Sequence, residues 1–431
     1  MSVASTVFGL GLGAVLALSW SGESVSSLSA PGGTDLLIGR VAGFLAAYLM
    51  LVMVVLMARI PALERAAGQD RLTRWHRTIG GWPIVLVAAH GVFITFGYAA
   101  TVRAGVLHQF WTLIRSYPDV LSATVAFGLL VLVGAVSIRQ IRRRIAYESW
   151  WATHLYVYLA LGLAFAHQIR TGAAFIGHPL VRSLWEVVWG TAAGCVVVFR
   201  LGLPTWRSLY HRLRVVEIRP EAPGVYSVVL RGQHLERLRV EGGQFFQWRF
   251  LVPGLWWHAH PYSLSALPQP PYLRLTVRET GDHSKEIARL HNGTRVAIEG
   301  PYGRFTATRR SSEQVLLVAA GVGVTPIRAL LEELPRDVDV HVILRASTES
   351  DLVFRDEVGR LVADRRGRLD EVIGPRDRVP VGARELHRLV PDIAGRDVYV
   401  CGPSEFSARI SSAARRLGVP ESRIHDEAFA F

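Results

Sequence analysis

Residues 150–170 read WWATHLYVYLALGLAFAHQIR, a strongly apolar stretch with His154 near one end and His167 near the other. An earlier apolar stretch, from Arg74 to Gly97, carries His76 and His90. The pairs are 13 residues (154 to 167) and 14 residues (76 to 90) apart, which is roughly 20 Å along a helix axis. Each stretch can cross a bilayer, so each would place one histidine towards each membrane face.

Four histidines at two matched depths indicate a shared task, because ionisable residues inside membranes are costly and usually functional. A haem iron binds two axial imidazoles, and two neighbouring helices could supply one pair at each depth. For a single histidine, a satisfied polar contact is an equal explanation. A spacing of 14 residues returns to nearly the same helix face, whereas 13 residues land about 140° away. We therefore expect the later helix to tilt, kink or lose regular α geometry near Gly162.

Composition places the chain in a membrane. Its 431 residues allow two or three domains, 50% of them are hydrophobic, and the formal charge is +13. The apolar residues crowd into the first half and the basic residues cluster at the ends of apolar runs, which indicates membrane topology and not nucleic-acid binding. Two cysteines, Cys195 and Cys401, argue against a disulfide framework and are too few for a four-cysteine iron–sulfur cluster.

Six apolar runs have the length of transmembrane helices. They are roughly Val3–Trp20, Leu36–Met57, Ile79–Tyr98, Val120–Ile138, Trp151–Ile169 and Leu184–Leu203. The first is the shortest, and without a basic flank or an obvious cleavage site it is expected to be a retained helix. Arginines crowd the segments after the second, fourth and sixth runs, so the positive-inside rule places these segments and the C-terminal half in the cytoplasm. His76 and His154 then form the inner pair, and His90 and His167 form the outer pair.

Arg40 lies near the outward end of the second run. A buried arginine costs about 2.5–3.5 kcal/mol on insertion scales, so it should have a partner. The propionate of an outer haem is one candidate partner, and snorkelling of the side chain to the interface is the alternative.

The pattern changes after about Tyr210. Short alternating strands broken by Gly and Pro fill residues 213–305, which suggests a small antiparallel β-barrel. From residue 314 strands alternate with helices, as in a parallel α/β nucleotide-binding domain.

Two motifs stand out in the barrel region. The stretch 260–265 reads HPYSLS, and residues 281–284 read GDHS at the start of a helix, where a Gly turn and a hydroxyl suit an anion. The chain here resembles the ferredoxin-NADP reductase superfamily, and more narrowly the NADPH oxidase and ferric reductase family. The resemblance implies that Tyr262 packs on the flavin ring, that nearby hydroxyls bond it, and that the flavin pyrophosphate lies at residues 281–284. An edge strand and a plain N-cap are the alternatives. The candidate flavin-binding residues are His260, Pro261, Tyr262, Ser263, Ser265, Gly281, His283 and Ser284.

A glycine-rich turn marks the nucleotide site. Residues 320–326 read AGVGVTP between an apolar strand and a helix, and glycines there let the backbone approach a pyrophosphate. Pro326 replaces the last Gly of the usual fingerprint, a pattern similar to that of the reductase superfamily. The next strand ends at Arg345 and Ser347, which suit a 2′-phosphate, so NADPH is favoured over NADH; exposed polar residues at a strand end are the alternative. The candidate nucleotide-binding residues are Gly321, Gly323, Thr325, Pro326, Arg345, Ser347, Cys401, Gly402 and Pro403.

The resemblance also supplies the catalytic centre and the metal ligands. Cys401 begins the family's Cys-Gly-Pro motif beside the nicotinamide, and Phe431 matches the C-terminal aromatic residue that covers the flavin. A terminus that packs in the core is the alternative for Phe431. The family's third and fifth spans hold two bis-histidine haems with the same spacings. The resemblance therefore implies that His76, His90, His154 and His167 are the metal ligands.

These observations predict three domains: a six-helix transmembrane bundle over 1–205, an antiparallel β-barrel FAD domain over 206–308, and an α/β parallel-sheet NADPH domain over 309–431. The expected protein lies in a bacterial plasma membrane with its soluble domains in the cytoplasm. It would pass electrons from NADPH through FAD and two b-type haems to an outer acceptor. Dioxygen, giving superoxide, is the favoured acceptor, and a ferric chelate is the alternative. A hypothesis from another class is a membrane haem protein that acts as sensor, proton conduit or carrier.

Overall fold

The computed structural model describes residues 3–20, 24–172, 174–375 and 381–429. Phe431 lies outside the described residues. Contacts divide the chain into two compact units, one of Met1–Leu63 with Asp70–Arg200 and one of Glu64–Gln69 with Leu201–Phe431. The domain boundaries expected at residues 205 and 308 stay predictions.

The N-terminal half is helical. Its helices are α1 (Val3–Trp20), α2 (Val25–Ser29), α3 (Gly33–Met57), α4 (Pro61–Ala67), α5 (Gln69–Ile79), α6 (Trp82–Val102), α7 (Val106–Ser116), α8 (Val120–Ser137), α9 (Arg139–Arg142), α10 (Tyr147–Thr171) and α11 (Pro179–Val196). Helix α11 continues through a π-helical turn, Val197–Gly202, into α12 (Leu203–His211).

Four helical segments of the described chain are long and apolar enough to cross a membrane. They are Gly33–Met57, Arg71–Val102, Val120–Ser137 and Pro179–His211. Helix α1 contains only a shorter apolar segment, Ser5–Trp20. Helix α10 has 25 residues, but its histidines and other polar side chains make it less apolar. The structure thus gives several apolar helices, and the count of six spans stays a prediction.

Glycines bring α3 and α6 close together. A Cβ added to Gly39 would lie 2.9 Å from Ile94, and one added to Gly43 would lie 2.7 Å from the ring of His90. Small residues at such spacing allow membrane helices to approach closely. Helix α10 packs instead along α8. The two histidine-bearing helices are therefore each supported by a different neighbour.

The region after α12 begins with two three-stranded antiparallel sheets and a short helix. The elements are β1 (Arg214–Ala222), β2 (Val225–Arg231), β3 (Phe245–Phe250), β4 (His260–Ser263), β5 (Tyr272–Arg278), α13 (Asp282–Ile287) and β6 (Val296–Tyr302), with sheet orders β1-β2-β5 and β4-β3-β6. Alternation along β3 buries Phe246, Trp248 and Phe250 in one core. Single bridges at Arg214–Arg295 and Leu264–Leu275 supplement these ladders. The ladders do not close, so a full barrel is not confirmed.

The C-terminal region is a parallel sheet covered by helices. Its elements are β7 (Gln314–Ala320), α14 (Val324–Glu333), β8 (Asp339–Ala346), α15 (Arg355–Ala363), β9 (Arg368–Ile373), α16 (Ala383–Leu389), β10 (Asp397–Pro403), α17 (Ser404–Arg416) and β11 (Ile424–Phe429), in sheet order β11-β10-β7-β8-β9. The central strands are almost wholly buried, as expected where helices cover both faces. The order in which successive strands are added reverses beside β7, because β8 and β9 lie on one side of it and β10 and β11 on the other. Open α/β sheets bind ligands at such a point.

A charged network joins the antiparallel sheets to the parallel sheet. Arg274 on β5 donates two hydrogen bonds of 2.7 Å to Glu357 on α15, and Arg328 on α14 donates one of 2.8 Å to the same carboxylate. Burial alone would raise the pKa of Glu357, but the hydrogen bonds from Arg274 and the attraction of Arg328 outweigh it and lower the pKa to about 2. The ionised carboxylate is thus the form that stabilises this contact.

Replacing Glu357 by Gln should lower the unfolding midpoint of the full chain at neutral pH by an amount that corresponds to about 2–3 kcal/mol, because Arg274 loses its carboxylate partner and Arg328 keeps only Glu332. The folded-state pKa lies below the ordinary value of 4.5. The stabilisation is therefore complete above about pH 4.5 and is lost as the pH falls towards 2. Thermal unfolding, followed by flavin fluorescence, measures the effect.

The control is Glu371→Gln, which removes a surface pair with Arg355 whose side chain is 47% exposed. Its cost should stay below about 1 kcal/mol. Equal effects of the two substitutions would contradict the role assigned to Glu357.

Candidate redox sites

The four membrane histidines meet in two pairs. The ring centres of His76 and His154 are 6.3 Å apart, and those of His90 and His167 are 6.4 Å apart. A metal–imidazole bond is about 2 Å long and the ring centre lies about 1 Å beyond the bonding nitrogen, so two imidazoles on opposite sides of one iron have centres roughly 6 Å apart. Both separations fit an axial pair of haem ligands.

Hydrogen bonds hold three of these rings by Nδ1. His90 Nδ1 lies 2.8 Å from the carbonyl oxygen of Gly39, His154 Nδ1 lies 3.4 Å from Ser137 Oγ, and His167 Nδ1 lies 3.3 Å from Thr171 Oγ1. A partner at Nδ1 fixes the ring and leaves Nε2 as the nitrogen for a metal. The surroundings of these three histidines therefore suit iron ligation.

The helices that carry the outer pair are each packed mainly on a different neighbour. Helix α6 packs on α3, and α10 packs on α8. Over the residues that the structure describes, α6 and α10 do not pack along each other. The imidazoles thus face each other from helices that do not pack closely, which is compatible with bis-histidine binding of a porphyrin.

The sequence predicts that this helix tilts, kinks or loses regular α geometry near Gly162, and the last of these is wrong. Residues Tyr147–Thr171 form one uninterrupted α-helix. Both histidines of α10 nevertheless reach their partners, since His154 meets His76 on α5 and His167 meets His90 on α6. Because the backbone keeps its hydrogen bonds throughout, the placement of the two helices and the reach of the side chains must absorb the 13-residue offset.

Arg40 lies on α3 next to Gly39, whose carbonyl oxygen contacts His90. The residue is half-buried and has interaction partners within the protein. It therefore stands at the depth of the outer pair, where its assignment to a haem propionate stays a prediction.

Strand β4 presents unsatisfied polar atoms at the predicted flavin motif. His260 Nε2 and Ser263 Oγ are buried without a hydrogen-bond partner. Tyr262 lies between them in sequence, and burial raises the pKa of its hydroxyl to about 12. The ring of Tyr262 is nearly parallel to that of His260, with centres 6.1 Å apart. Orphaned buried groups beside an aromatic ring fit a bound flavin that supplies the missing hydrogen bonds.

Two hydroxyls of the predicted flavin set already have partners in the protein. Ser265 Oγ accepts a hydrogen bond of 2.8 Å from Thr276 inside the core. Ser284 Oγ accepts hydrogen bonds from the backbone N–H groups of Thr280 and Gly281 at 2.9 and 3.0 Å. Ser284 thus caps its own turn, which favours the plain capping role.

His283 brings the two flavin motifs together. Its ring centre lies 4.2 Å from that of His258 and 5.5 Å from that of His260. Burial, followed by repulsion from His283 and His258, lowers the pKa of His260 to about 4. His260 is therefore neutral at physiological pH and can accept or donate a hydrogen bond without carrying charge.

The turn after β7 is built as the nucleotide motif predicts. Gly321 has a φ of +56°, a left-handed conformation that favours glycine. A Cβ on Gly323 would lie 2.3 Å from the carbonyl oxygen of Cys401, so only glycine lets the turn rest against β10. Thr325 Oγ1 donates to the carbonyl oxygen of Val322 at 3.0 Å, and buried Pro326 follows in the first turn of α14. The turn is fixed by packing on the neighbouring strand.

The structure engages Arg345 differently from the sequence-based expectation. Its guanidinium is buried and donates to the carbonyl oxygens of Ala346, Val372 and Gly374, the last at 2.7 Å. Ser347 is exposed. Arg345 therefore ties the ends of β8 and β9 together, and its contact with a 2′-phosphate stays a prediction.

Cys401 lies deep in the sheet at the end of β10. The residue is fully buried, and this burial raises the pKa of its thiol well above the ordinary value. Gly402 and Pro403 pair with Ala428 and Phe429 of β11. The C-terminal strand thus runs beside the Cys-Gly-Pro segment, two residues short of Phe431.

Sequence reasoning missed several supporting residues. Gly39 and Gly43 carry a signal, the four-residue spacing of small residues in an apolar helix. Thr171 stands one helical turn after His167, a spacing that also could have been noticed. Ser137 lies on another helix than His154, so the sequence does not reveal that contact.

Three family descriptions match consecutive parts of the chain. Residues 42–165 match a ferric reductase like transmembrane component, residues 227–306 an FAD-binding domain, and residues 317–412 an oxidoreductase NAD-binding domain. The chain is a ferric reductase-like oxidoreductase. The expectation of an enzyme is therefore confirmed, together with an integral membrane region followed by flavin- and nicotinamide-nucleotide-binding regions.

Curated relatives match about half of this ferric reductase-like chain. Ferredoxin–NADP reductase B of Sorangium cellulosum is 29% identical over 50% of this chain and 96% of its own length. The stachydrine N-demethylase reductase subunit of Rhizobium meliloti is 29% identical over 50% of this chain and 66% of its own length. The FAD/NAD-binding domain of nitric oxide dioxygenase from Vibrio cholerae is 26% identical, covers 51% of this chain and 98% of that domain, and has a TM-score of 0.45.

Replacing Gly43 by Ala should disrupt the outer histidine pair alone. The new methyl group would overlap the ring of His90, whereas the inner pair is on another part of the helices. We expect purified protein to lose about half of its haem absorbance while its flavin content is unchanged. Gly128→Ala is the control, since a Cβ at Gly128 meets nothing within 4 Å. Full haem content in Gly43→Ala would contradict the assignment.

The depressed pKa of His260 predicts a pH-dependent stability. The unfolded chain protonates this ring near pH 6.5, whereas the folded chain does so near 4. Its stabilising contribution is thus complete above pH 6.5 and is lost as the pH falls towards 4. His260→Gln should flatten that part of the thermal stability profile, and His291→Gln, at an exposed position, should not.

Proposed function

We propose that this chain oxidises cytoplasmic NADPH and reduces dioxygen to superoxide on the other side of the bacterial plasma membrane. When bound, FAD and two b-type haems supply the chemistry: hydride acceptance, release of single electrons, and transfer of these across the bilayer. The observation that carries the proposal is the pair of histidine pairs, 6.3 and 6.4 Å between ring centres, in a chain that also has flavin and nucleotide regions.

The membrane residues act as ligands and positioning groups. In the proposal, His76 with His154 holds the inner haem, and His90 with His167 holds the outer one. The Nδ1 partners keep rings oriented, and neutral imidazoles are the form that binds iron. Arginine 40 would offer a countercharge to an outer propionate.

The residues of the C-terminal half would bind the flavin and the nucleotide and exclude water from them. Tyr262 would cover the flavin ring while His260 Nε2 and Ser263 Oγ satisfy its polar edge. The turn at Gly321–Gly323 and the N-terminus of α14 would receive the nucleotide pyrophosphate. Cys401 stays protonated, so we assign it a role in shape beside the nicotinamide and none as a nucleophile. Phe431 is proposed to cover the flavin.

NADPH is the proposed nucleotide because no acidic residue stands at the end of β8, where Arg345 precedes the last residue of the strand and Ser347 follows it. Asp351 lines the small cavity at this strand end, but its carboxylate accepts hydrogen bonds from Thr348 N and Oγ1 at 3.1 and 2.8 Å. The carboxylate is therefore already used to cap the next turn.

A ferric chelate is the alternative acceptor, favoured by the description of the family that matches residues 42–165. The two acceptors differ in size. Dioxygen can enter a narrow channel between helices, whereas a ferric chelate needs a wider opening at the outer surface. The two acceptors can be separated by experiment.

Adding NADPH to the FAD-loaded full-length protein without oxygen should reduce the absorbance bands of both haems. Admitting oxygen should restore the bands and yield trapped superoxide faster than ferric citrate restores them. His90→Leu or His167→Leu should remove one haem and abolish the outward reaction, while flavin reduction by NADPH persists. Stopped-flow absorbance follows all three steps.

His108→Leu is the matched control, because His108 lies on the outer helix α7 and belongs to neither pair. Faster oxidation by ferric citrate than by oxygen would establish the ferric reductase alternative. Two intact haems in His90→Leu would refute the ligand assignment.

A further inference from the structure

A basic and aromatic pocket lies at the end of the last long helix. Its volume is about 330 Å³. It is lined by residues of α12, by Arg237 at the end of the turn Leu235–Arg237 with the two residues that follow, and by Pro301 of β6. Pockets for small ligands occupy about 300 to 1,000 Å³. Its lining shares no residue with the predicted flavin and nucleotide sites.

Three arginines converge on this pocket, Arg207, Arg237 and Arg239. Arg207 donates to the carbonyl oxygen of Gly300, and Arg237 Nη1 donates to the Tyr210 hydroxyl at 2.9 Å. In the described part of the chain, none of the three forms an ion pair with a carboxylate. Three guanidinium groups without a protein countercharge make an environment that favours a phosphate.

The other walls are apolar and aromatic. Trp206 stacks on Tyr210 with ring centres 5.0 Å apart, and Tyr210 stacks on His234 at 4.7 Å. Leu238 completes this wall. Trp206 is 57% exposed, although a large ring on a soluble surface would usually be covered. Tryptophan and tyrosine are enriched at the level of lipid headgroups, which gives this exposure a physical reason.

The helix that carries the pocket also carries an exposed apolar stripe. Leu201 and Leu209 are 61% and 67% exposed. Both lie towards the C-terminal end of the apolar helical segment Pro179–His211. A ligand with its phosphate among the arginines could place hydrocarbon along these side chains. Free phosphate would use the arginines but leave the stripe and Trp206 uncovered.

We propose that this pocket binds the headgroup of an anionic phospholipid, with the phosphate among Arg207, Arg237 and Arg239 and the glycerol backbone against Trp206. Basic clusters directly after a transmembrane helix attract anionic lipids. Helix α12 is fixed to β6, since Ser208 Oγ accepts a hydrogen bond of 3.0 Å from Ile298 N. A bound lipid therefore stabilises the joint at which the helix enters the antiparallel sheets.

The test uses the full-length protein in neutral detergent and native mass spectrometry with two short-chain probes, dihexanoyl phosphatidylglycerol and dihexanoyl phosphatidylcholine. The wild type should bind the anionic probe in preference to the zwitterionic one. Arg239→Gln should weaken that binding by about fivefold or more, and Arg237→Gln/Arg239→Gln by a larger factor. The single variant is informative because Arg239 is exposed and its loss leaves no buried group unpaired.

Arg231→Gln/Arg289→Gln is the charge-matched control, since both residues are exposed outside the pocket. It should bind the anionic probe like the wild type. Equal weakening in this control, or unchanged binding in Arg239→Gln, would overturn the proposal. A third arm adds inorganic phosphate alone, and displacement of the lipid at equal concentration would show that free phosphate is the ligand instead. Haem and flavin content should stay constant in all variants, which separates this result from the proposed redox function.

Discussion

The arrangement in the membrane depends on hydrogen bonds to one nitrogen of an imidazole. A histidine in an apolar helix must satisfy its ring, and a bond at Nδ1 does so while it fixes which nitrogen points away from its own helix. Gly39, Ser137 and Thr171 provide these partners for three of the four rings. Without these hydrogen bonds the imidazole rings could rotate towards other neighbours. The two histidines of a pair would then no longer face each other.

In the C-terminal half, backbone geometry shapes the predicted nucleotide site. Glycines at the end of β7 let one strand end rest on the next, and the N-terminus of α14 follows at once. Orphaned polar atoms on β4 occur in the antiparallel part, where the flavin motif lies. The network around Glu357 helps to join these two parts, together with apolar packing of Val225 and Phe305 on the core of the parallel sheet.

Much of this could be read from the sequence because the signals are local. Histidine spacing along a helix predicts depth, and the order of strand, glycine turn and helix predicts the nucleotide site. Tertiary contacts set the limits. The position of Arg345 at a strand end predicts a phosphate ligand. In the structure its guanidinium donates hydrogen bonds to carbonyl oxygens in and just after β9. The helix with His154 and His167 stays regular because its neighbours set its position, which periodicity alone does not reveal. The count of six spans stays a prediction for a similar reason, since the histidines and other polar residues of α10 lower its hydropathy.

The buried thiol of Cys401 has a consequence for the chemical durability of the molecule. The thiolate is the form that peroxides and alkylating agents attack, and a raised pKa together with complete burial suppresses it. A protein proposed to release superoxide works among such oxidants. A cysteine of this kind would be a liability on a surface loop, whereas at the end of β10 the sheet shields it from such oxidants.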